Sequence, residues 1–317
     1  MKILFIAPKY TGGIGGHAKR VADKLQENGF EVELMCAPHI PIKKLKNPTF
    51  VILSVLKTIS RRKTYDVVHA FNLPSAFAMK YTKAKIKVLS IHGVYSEQID
   101  ALHSEMTSTK VKNKEAEILK WADKLLTNSK NVKEAYKKKL NLDFDYIYGP
   151  TDIEKFKEIT ENILRNKKQV VYVGRDSYEK GIDILKKIED KINAKVVYCT
   201  NLDWESAMKV LKSSDVVIVP SRIDNIPNVI KEAFVLKIPV VATDIEGISE
   251  IVTNDVNGIL VPSEEPDKLA NAVNQLLENE EKIKEITENG YDFVSKNLTW
   301  DTLLPKYIEF YEKLIKQ

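Results

Sequence analysis

Cysteine is nearly absent: Cys36 and Cys199 are the only two in 317 residues. They stand far apart, so neither a disulfide framework nor a Cys-x-x-Cys metal or redox site can be built from them. They read as small core residues of a reducing compartment. Long apolar runs are missing as well. No stretch approaches the roughly 20 apolar residues that a membrane-spanning helix requires, and the N-terminal run "ILFIA" is too short for a secretory signal. The expectation is a cytoplasmic protein, with attachment to a membrane surface left open. The second half lacks a carboxylate pair of the Asp-x-Asp type, so no metal is expected there. Short-period repeats and low-complexity segments are also lacking, which argues against a solenoid or a disordered array.

What is present describes a folded chain. Hydrophobic residues make up 44% and charged residues 29%, and the length suits two domains of ordinary size. Charge is split unevenly. Residues 1–150 carry 26 Lys+Arg against 14 Asp+Glu, a balance of +12, whereas the remainder carries 23 against 30, a balance of −7. Opposite signs suggest two domains with different partners, the first facing something anionic. General Lys/Glu enrichment with chance asymmetry is the plainer explanation.

Short Val- and Ile-rich runs alternate with amphipathic segments. "KILFIAP", "EVELMCA", "DVVHAF", "KVLSIHG", "KLLTNS" and "FDYIYG" form a first series of strands. The pattern pauses at Gly149-Pro150 and "ENILRNKKQ" leads into a second series, "VVYVGR", "KVVYCT", "DVVIVP", "PVVATD" and "GILVP". Apolar strands alternating with helices predict parallel sheets covered on both faces. The fold class is therefore α/β, with two doubly wound sheets in tandem and ligands off the carboxyl ends of the strands.

The first strand is followed by "TGGIGGHAKR", which opens the first helix. Gly13-x-Gly15-x-x-Ala18 fits a degenerate dinucleotide fingerprint, but the second strand ends at Met35, Cys36 and Ala37 without the acid that would bind ribose. A dehydrogenase is disfavoured. The physics that survives is close backbone approach by a ligand and attraction of phosphate to a helix N-terminus. A tight turn alone explains one or two glycines, not four in five residues. His17, next in line, either touches a ligand or caps its helix.

In the second half, "VVYVGRDSYEKGIDILKKI" ends a strand at Gly174 and places Arg175 and Lys180 at the turn into a helix, a set suited to a diphosphate. A solvated Arg and Lys would look the same in isolation. Further on, "PSRIDNIPNVIKEA" places Asp224 in a loop and Glu232 inside a helix, eight residues apart, with Asn225, Pro227 and Asn228 between. A site holding a polyhydroxylated ligand at two depths needs that arrangement.

Taken in order, "GGIGGH", "DVVHA", "SIHG", "ADKLLTNS", "VGRDSYEKGID", "VIVPSRIDNIPNVIKEAFVLKIPVVATDIEGISEIV" and "NGILVP" resemble family 4 of the retaining glycosyltransferases over nearly the whole chain. The resemblance implies the GT-B fold: two Rossmann-like domains facing across a cleft. An acceptor-side domain would span 1–149 and a donor-binding domain 150–299, with a helix at 300–317 crossing back to the first. It also implies roles. Arg175 and Lys180 match the pair that neutralises the donor diphosphate. Asp224 matches the acid that holds sugar hydroxyls, and Glu232 the acid that holds ribose. Asn225, Ile226, Pro227 and Asn228 match a turn whose amides face donor sugar and phosphate. His92 matches a histidine near the reacting centre; without the resemblance it would read, like His69, as a structural histidine. Gly15 and Gly16 match the loop beside the donor, and Gly174 the end of the donor-domain strand. The implied reaction uses a nucleotide-diphosphate sugar and a glycan, lipid-linked or small-molecule acceptor, with no metal, no cofactor and no nucleic acid.

Three departures stand out. Asp224 replaces the usual glutamate and shortens the arm by one methylene. "YIYGPTDIEKF" stands where an Asn-Gly-Val-Asp segment is usual. Only about 40 residues separate "EKG" from "VPS", too few for an extra strand–helix unit, so the nucleobase pocket is expected to be reduced or rebuilt from Cys199, Thr200 and Asn201. The shortened second domain and Asp224 keep open a catalytically weakened binding subunit, and a GT-B phosphorylase or epimerase stays open because a fold does not dictate its reaction. On the acceptor side, residues 41–63 set Ile52, Val55, Leu56 and Ile59 on one helical face with Lys and Arg at both ends. The plainer expectation is a core-packing helix; the alternative is contact with anionic lipid.

Overall fold

The computed structural model describes residues 1–8, 13–38, 40, 42, 46–94, 113–160 and 168–316. Thr11 and Gly12 of the glycine run, most of "ENILRNKKQ" and residues 41 and 43–45 of the basic segment lie outside the described residues. The chain divides into two compact units, Met1–Gly149 with Leu304–Gln317, and Pro150–Leu303.

The first unit runs β1 (Lys2–Ile6), α1 (Gly13–Glu27), β2 (Glu31–Met35), α2 (Lys46–Ser60), β3 (Tyr65–Ala70), α3 (Leu73–Tyr81), β4 (Ala84–Ile91), β5 (Lys124–Thr127), α4 (Lys130–Leu140) and β6 (Asp145–Tyr146). Its sheet is ordered β2-β1-β3-β4-β5-β6, and every pairing is parallel. Covering both faces buries successive residues, so Ile3, Leu4, Phe5 and Ile6 are all inaccessible and the strand reads as an apolar run. β1 lies between β2 and β3, which places a topological switch at the carboxyl ends of β1 and β3.

The second unit contains β7 (Gln169–Val173), α5 (Ile182–Ile188), β8 (Lys195–Cys199), α6 (Trp204–Lys212), β9 (Val216–Val219), α7 (Asn228–Leu236), β10 (Val240–Asp244), α8 (Glu246–Ser249), β11 (Ile259–Pro262), α9 (Pro266–Leu277) and α10 (Glu280–Asn297). Its parallel sheet is ordered β11-β10-β9-β7-β8. One strand–helix unit separates β7 from β9, and β8 forms the sheet edge. The switch falls between β7 and β9, so the loops that follow these two strands flank one crevice.

All eleven expected strands are present. The last helix, α11 (Trp300–Lys316), belongs to the first unit from Leu304 onward. There the Tyr311 hydroxyl meets His69 Nδ1 at 2.6 Å, and Ser90 Oγ lies 2.6 Å from His69 Nε2. Both ring nitrogens of His69 are therefore occupied, and the residue is structural.

One expectation is reversed. α2 does not bury Ile52, Leu56 and Ile59. They are 59%, 59% and 61% exposed, while Ser54 and Thr58 are buried. Phe50, Ser54 and Thr58, four residues apart, form the inward face, with Val51 and Val55 half-buried beside them. Thr58 settles its hydroxyl internally by donating to the Ser54 carbonyl at 2.9 Å.

Candidate active site

Arg175, Lys180, Asp224 and Glu232 all lie within the second unit. β7 ends at Val173, and Gly174 donates its amide to the Cys199 carbonyl at 3.1 Å, fastening the loop to the edge strand. Tyr172, nearly buried, donates its hydroxyl to the Arg175 carbonyl at 2.6 Å. Burial pushes that phenol's pKa up, keeping it protonated as a donor. The Arg175 side chain projects into solvent with no acidic partner within 4.0 Å among the described residues.

The chain then forms a single 3₁₀ turn, Tyr178–Lys180, before α5. Lys180 thus lies in the turn that leads into α5, where the sequence places it. Gly181 ends it with φ +66°, and a Cβ there would stand 1.8 Å from the Pro220 carbonyl oxygen. Only glycine lets this turn rest on the end of β9. The amides of Arg222 and Ile223 both donate to the Glu179 carbonyl, at 2.9 and 3.1 Å.

This contact brings the second acidic motif alongside the first loop. Lys180 forms an ion pair with Asp224, the two side chains being 23% and 13% exposed. Asp224 Oδ2 also faces the Ser221 hydroxyl at 3.3 Å, and Oδ1 accepts the Asn225 amide at 3.0 Å. The shorter acid is therefore held by a cation, a hydroxyl and an amide at once. Behind it sits Gly247 of α8, where a Cβ would lie 2.1 Å from the Asn225 carbonyl and 2.3 Å from that of Asp224. α7 starts at Asn228 with Pro227 in the cap position, no side-chain cap and no acid in its first turn. Ile226 and Pro227 fill the turn before it, and the Ile230 amide donates to the Pro227 carbonyl at 3.3 Å.

Glu232 lies one turn into α7 and accepts the Trp204 indole N–H at 2.9 Å. Trp204 opens α6 and packs edge-on against Phe156 at 5.2 Å. An indole from the preceding helix thus helps to orient this carboxylate. Cys199 is buried, its thiol pushed up to about 11 by burial.

Sequence reasoning missed Arg222. Its guanidinium donates to Asp183 Oδ1 and Oδ2 at 2.6 and 2.8 Å and to the Tyr178 carbonyl at 2.9 Å. It also pairs with Glu264 and stacks 4.1 Å from the Tyr178 ring centroid. One side chain joins the turn 178–180, α5, the loop after β9 and the loop after β11. The arginine stood inside the quoted "PSRIDN", but nothing local distinguished it from a surface residue.

His92, Gly15 and Gly16 belong to the first unit. Gly15 and Gly16 are buried inside the first turns of α1 rather than in a loop before it. His92 follows β4 and lies edge-on to His17 at 5.7 Å; His17 Nε2 is 3.3 Å from the Tyr307 hydroxyl. Burial drives the His92 pKa down to about 4, against a weaker opposing hydrogen bond with Asn128. It is a neutral imidazole at pH 7.

Comparison with known proteins agrees with this architecture. The family model for Glycosyltransferase Family 4 matches residues 11–155, and that for Glycosyl transferases group 1 matches residues 152–279. An uncharacterized glycosyltransferase of Methanocaldococcus jannaschii is 25% identical, with 98% of each chain covered. Sucrose-phosphate synthase from Thermosynechococcus elongatus superposes with TM-score 0.81 at 19% identity, covering 99% of both chains. Anabaena HepE, solved in complex with UDP-glucose, gives TM-score 0.74 at 18% identity, covering 99% of this chain and all of its own.

Proposed function

From the premise that the chain belongs to the glycosyltransferases of the GT-B type, we propose that it transfers a sugar from a nucleotide-diphosphate donor with retention of configuration. The observation that carries the donor assignment is that the loops after the neighbouring strands β7 and β9 join through the Lys180–Asp224 ion pair, with exposed Arg175 in the first loop and the N-terminus of α7, which has no side-chain cap, following the second. HepE binding UDP-glucose supports a nucleotide sugar as the donor class.

In this reading the bond from the anomeric carbon to the diphosphate oxygen breaks, and the acceptor hydroxyl oxygen forms a new bond on the same face. The hydroxyl proton passes to the departing diphosphate. Arg175, Lys180 and the α7 amides stabilise the charge that develops there, so no metal is required. Losing one such contact typically costs on the order of 10²–10³ in rate. Asp224 takes sugar hydroxyls and Glu232 takes ribose. Their existing hydrogen bonds orient both carboxylates before the donor arrives, which saves ordering entropy on binding. Neutral His92 donates or accepts a hydrogen bond near the reacting centre, rather than acting as a cation. The acceptor is a glycan, lipid-linked or small-molecule hydroxyl, and two unpaired cysteines agree with a reducing, cytoplasmic setting. Self-neutralisation of Lys180 by Asp224 favours a second reading, a binding subunit with weakened turnover.

Calorimetry with free nucleoside diphosphates on wild type, Asp224→Asn and Glu232→Gln tests the assignment. Glu232→Gln should weaken the diphosphate by about 1.5–3 kcal/mol, the worth of a charge-assisted hydrogen bond. Asp224→Asn should hold or improve that affinity, since Lys180 is released to the diphosphate, while turnover of the nucleotide sugar falls. Equal affinities in all three proteins would refute the ribose role. Donor binding without transfer or sugar-nucleotide hydrolysis would establish the second reading instead.

A further inference from the structure

The outer face of α2 is apolar in a place where solvent should select polar residues. Ile52, Leu53, Leu56 and Ile59 are exposed on one helix, and the residues it turns inward include Ser54 and Thr58. Inverted amphipathicity of this kind means that something apolar covers the outer face. The surrounding charge says what. Residues 31–97 contain eleven Lys+Arg against four acids, of which Glu33 and Asp66 are already engaged by Arg61, Lys63 and Lys85.

At the carboxyl end of α2 the two features adjoin. Ile59, Arg61, Lys63, Tyr81 and Lys83 line one shallow cavity of about 150 Å³. Glu33 takes up Arg61 and Lys63, but exposed Arg62 and Lys83 have no acidic partner within 4.0 Å among the described residues. Lys57, one turn earlier, donates to the Cys36 carbonyl at 2.9 Å. An apolar stripe bordered by uncompensated cations matches a bilayer surface, where side chains such as Leu and Ile enter the acyl boundary and Lys and Arg remain at anionic headgroups. A second copy of the chain fits less well. A two-fold contact through this face would bring each cluster of cations against its own image.

We infer that α2 is a peripheral membrane-docking helix that seats the first domain on an anionic lipid surface. The inference is independent of the donor assignment, because its readout requires no nucleotide sugar. The full chain is sedimented with vesicles of phosphatidylcholine alone and of phosphatidylcholine mixed with phosphatidylglycerol. Wild type should pellet with the mixed vesicles only, and added salt should weaken the association. Ile52→Ser, Leu56→Ser and Ile59→Ser combined should reduce partitioning at least roughly ten-fold. Arg62→Gln and Lys83→Gln should each weaken it roughly five-fold. All these side chains are exposed, so thermal melting should be unchanged and a loss of binding is not a loss of fold. Equal binding to both vesicle types, or wild-type partitioning by the triple serine variant, would overturn the inference. So would a wild-type dimer that Leu56→Asp dissociates, which would assign the face to a second copy. A monomer that ignores both vesicle types overturns it too, in favour of a protein partner.

Discussion

Arg222→Ala is the perturbation that most directly separates a positioned donor crevice from a collection of loops. The guanidinium is 9% exposed, whereas Asp183 and Glu264 are 41% and 59% exposed. Removing one partner of a fully buried pair costs about 3–5 kcal/mol, and an exposed pair is worth about 0–1 kcal/mol. Water can resolvate both abandoned carboxylates, so the cost sits between these limits, at about 2 kcal/mol. For a unit of this size each kcal/mol shifts melting by roughly 2–4 °C, giving an expected fall of about 4–8 °C. Arg222→Lys keeps the charge but not the planar fork, and should recover only part of that loss. Function should suffer more than stability. Arg222 and Ile223 hold the Glu179 carbonyl through their amides, and Glu179 directly precedes Lys180. A misplacement of about 1 Å at such a turn can cost on the order of 10²-fold. Steady-state kinetics with the nucleotide sugar should show kcat/KM reduced by about 10–100-fold. Combining Arg222→Ala with Asp183→Ala should be less damaging than the two effects added together. Wild-type kcat/KM in Arg222→Ala, or strict additivity with Asp183→Ala, would refute a positioning role.

Two further outcomes are expected. His92 has a folded pKa near 4, below its ordinary 6.5, so the unfolded chain takes up a proton first as pH falls. Stability is complete above about pH 6.5 and declines down to about pH 4, by about 3 kcal/mol in all. His69 acts in the same direction. Melting curves from pH 8 to 4 should show this decline, reduced in His92→Gln; superimposable profiles would discount the buried imidazole. Turnover should also persist in excess EDTA, because Arg175, Lys180 and the α7 amides supply the positive potential. Loss in chelator that manganese or magnesium restores would require a metal.

Much of the fold was legible because parallel strands buried on both faces leave uninterrupted Val/Ile runs, such as "KILFIA" and "DVVIVP". Arg175, Lys180, Asp224 and Glu232 were legible as site candidates from their ordered spacing. Their contacts were not. Lys180 and Asp224 are 44 residues apart in sequence and meet because β7 and β9 are neighbours in the sheet. Trp204 reaches Glu232 from another helix, and Gly247 matters through a backbone that no local pattern reveals.

α2 marks the same boundary from the other side. Periodicity put Ile52, Leu56 and Ile59 on one face, and that was correct, but periodicity carries no direction relative to the sheet. Which residues share a strand, a turn or a helix face follows from local sequence, since those relations depend on φ, ψ and residue spacing alone. Which face turned inward, which cation met which acid, and which loops flanked a common crevice were decided by sheet order and packing. Those depend on contacts between segments distant in the chain, and only the folded molecule brings such segments together.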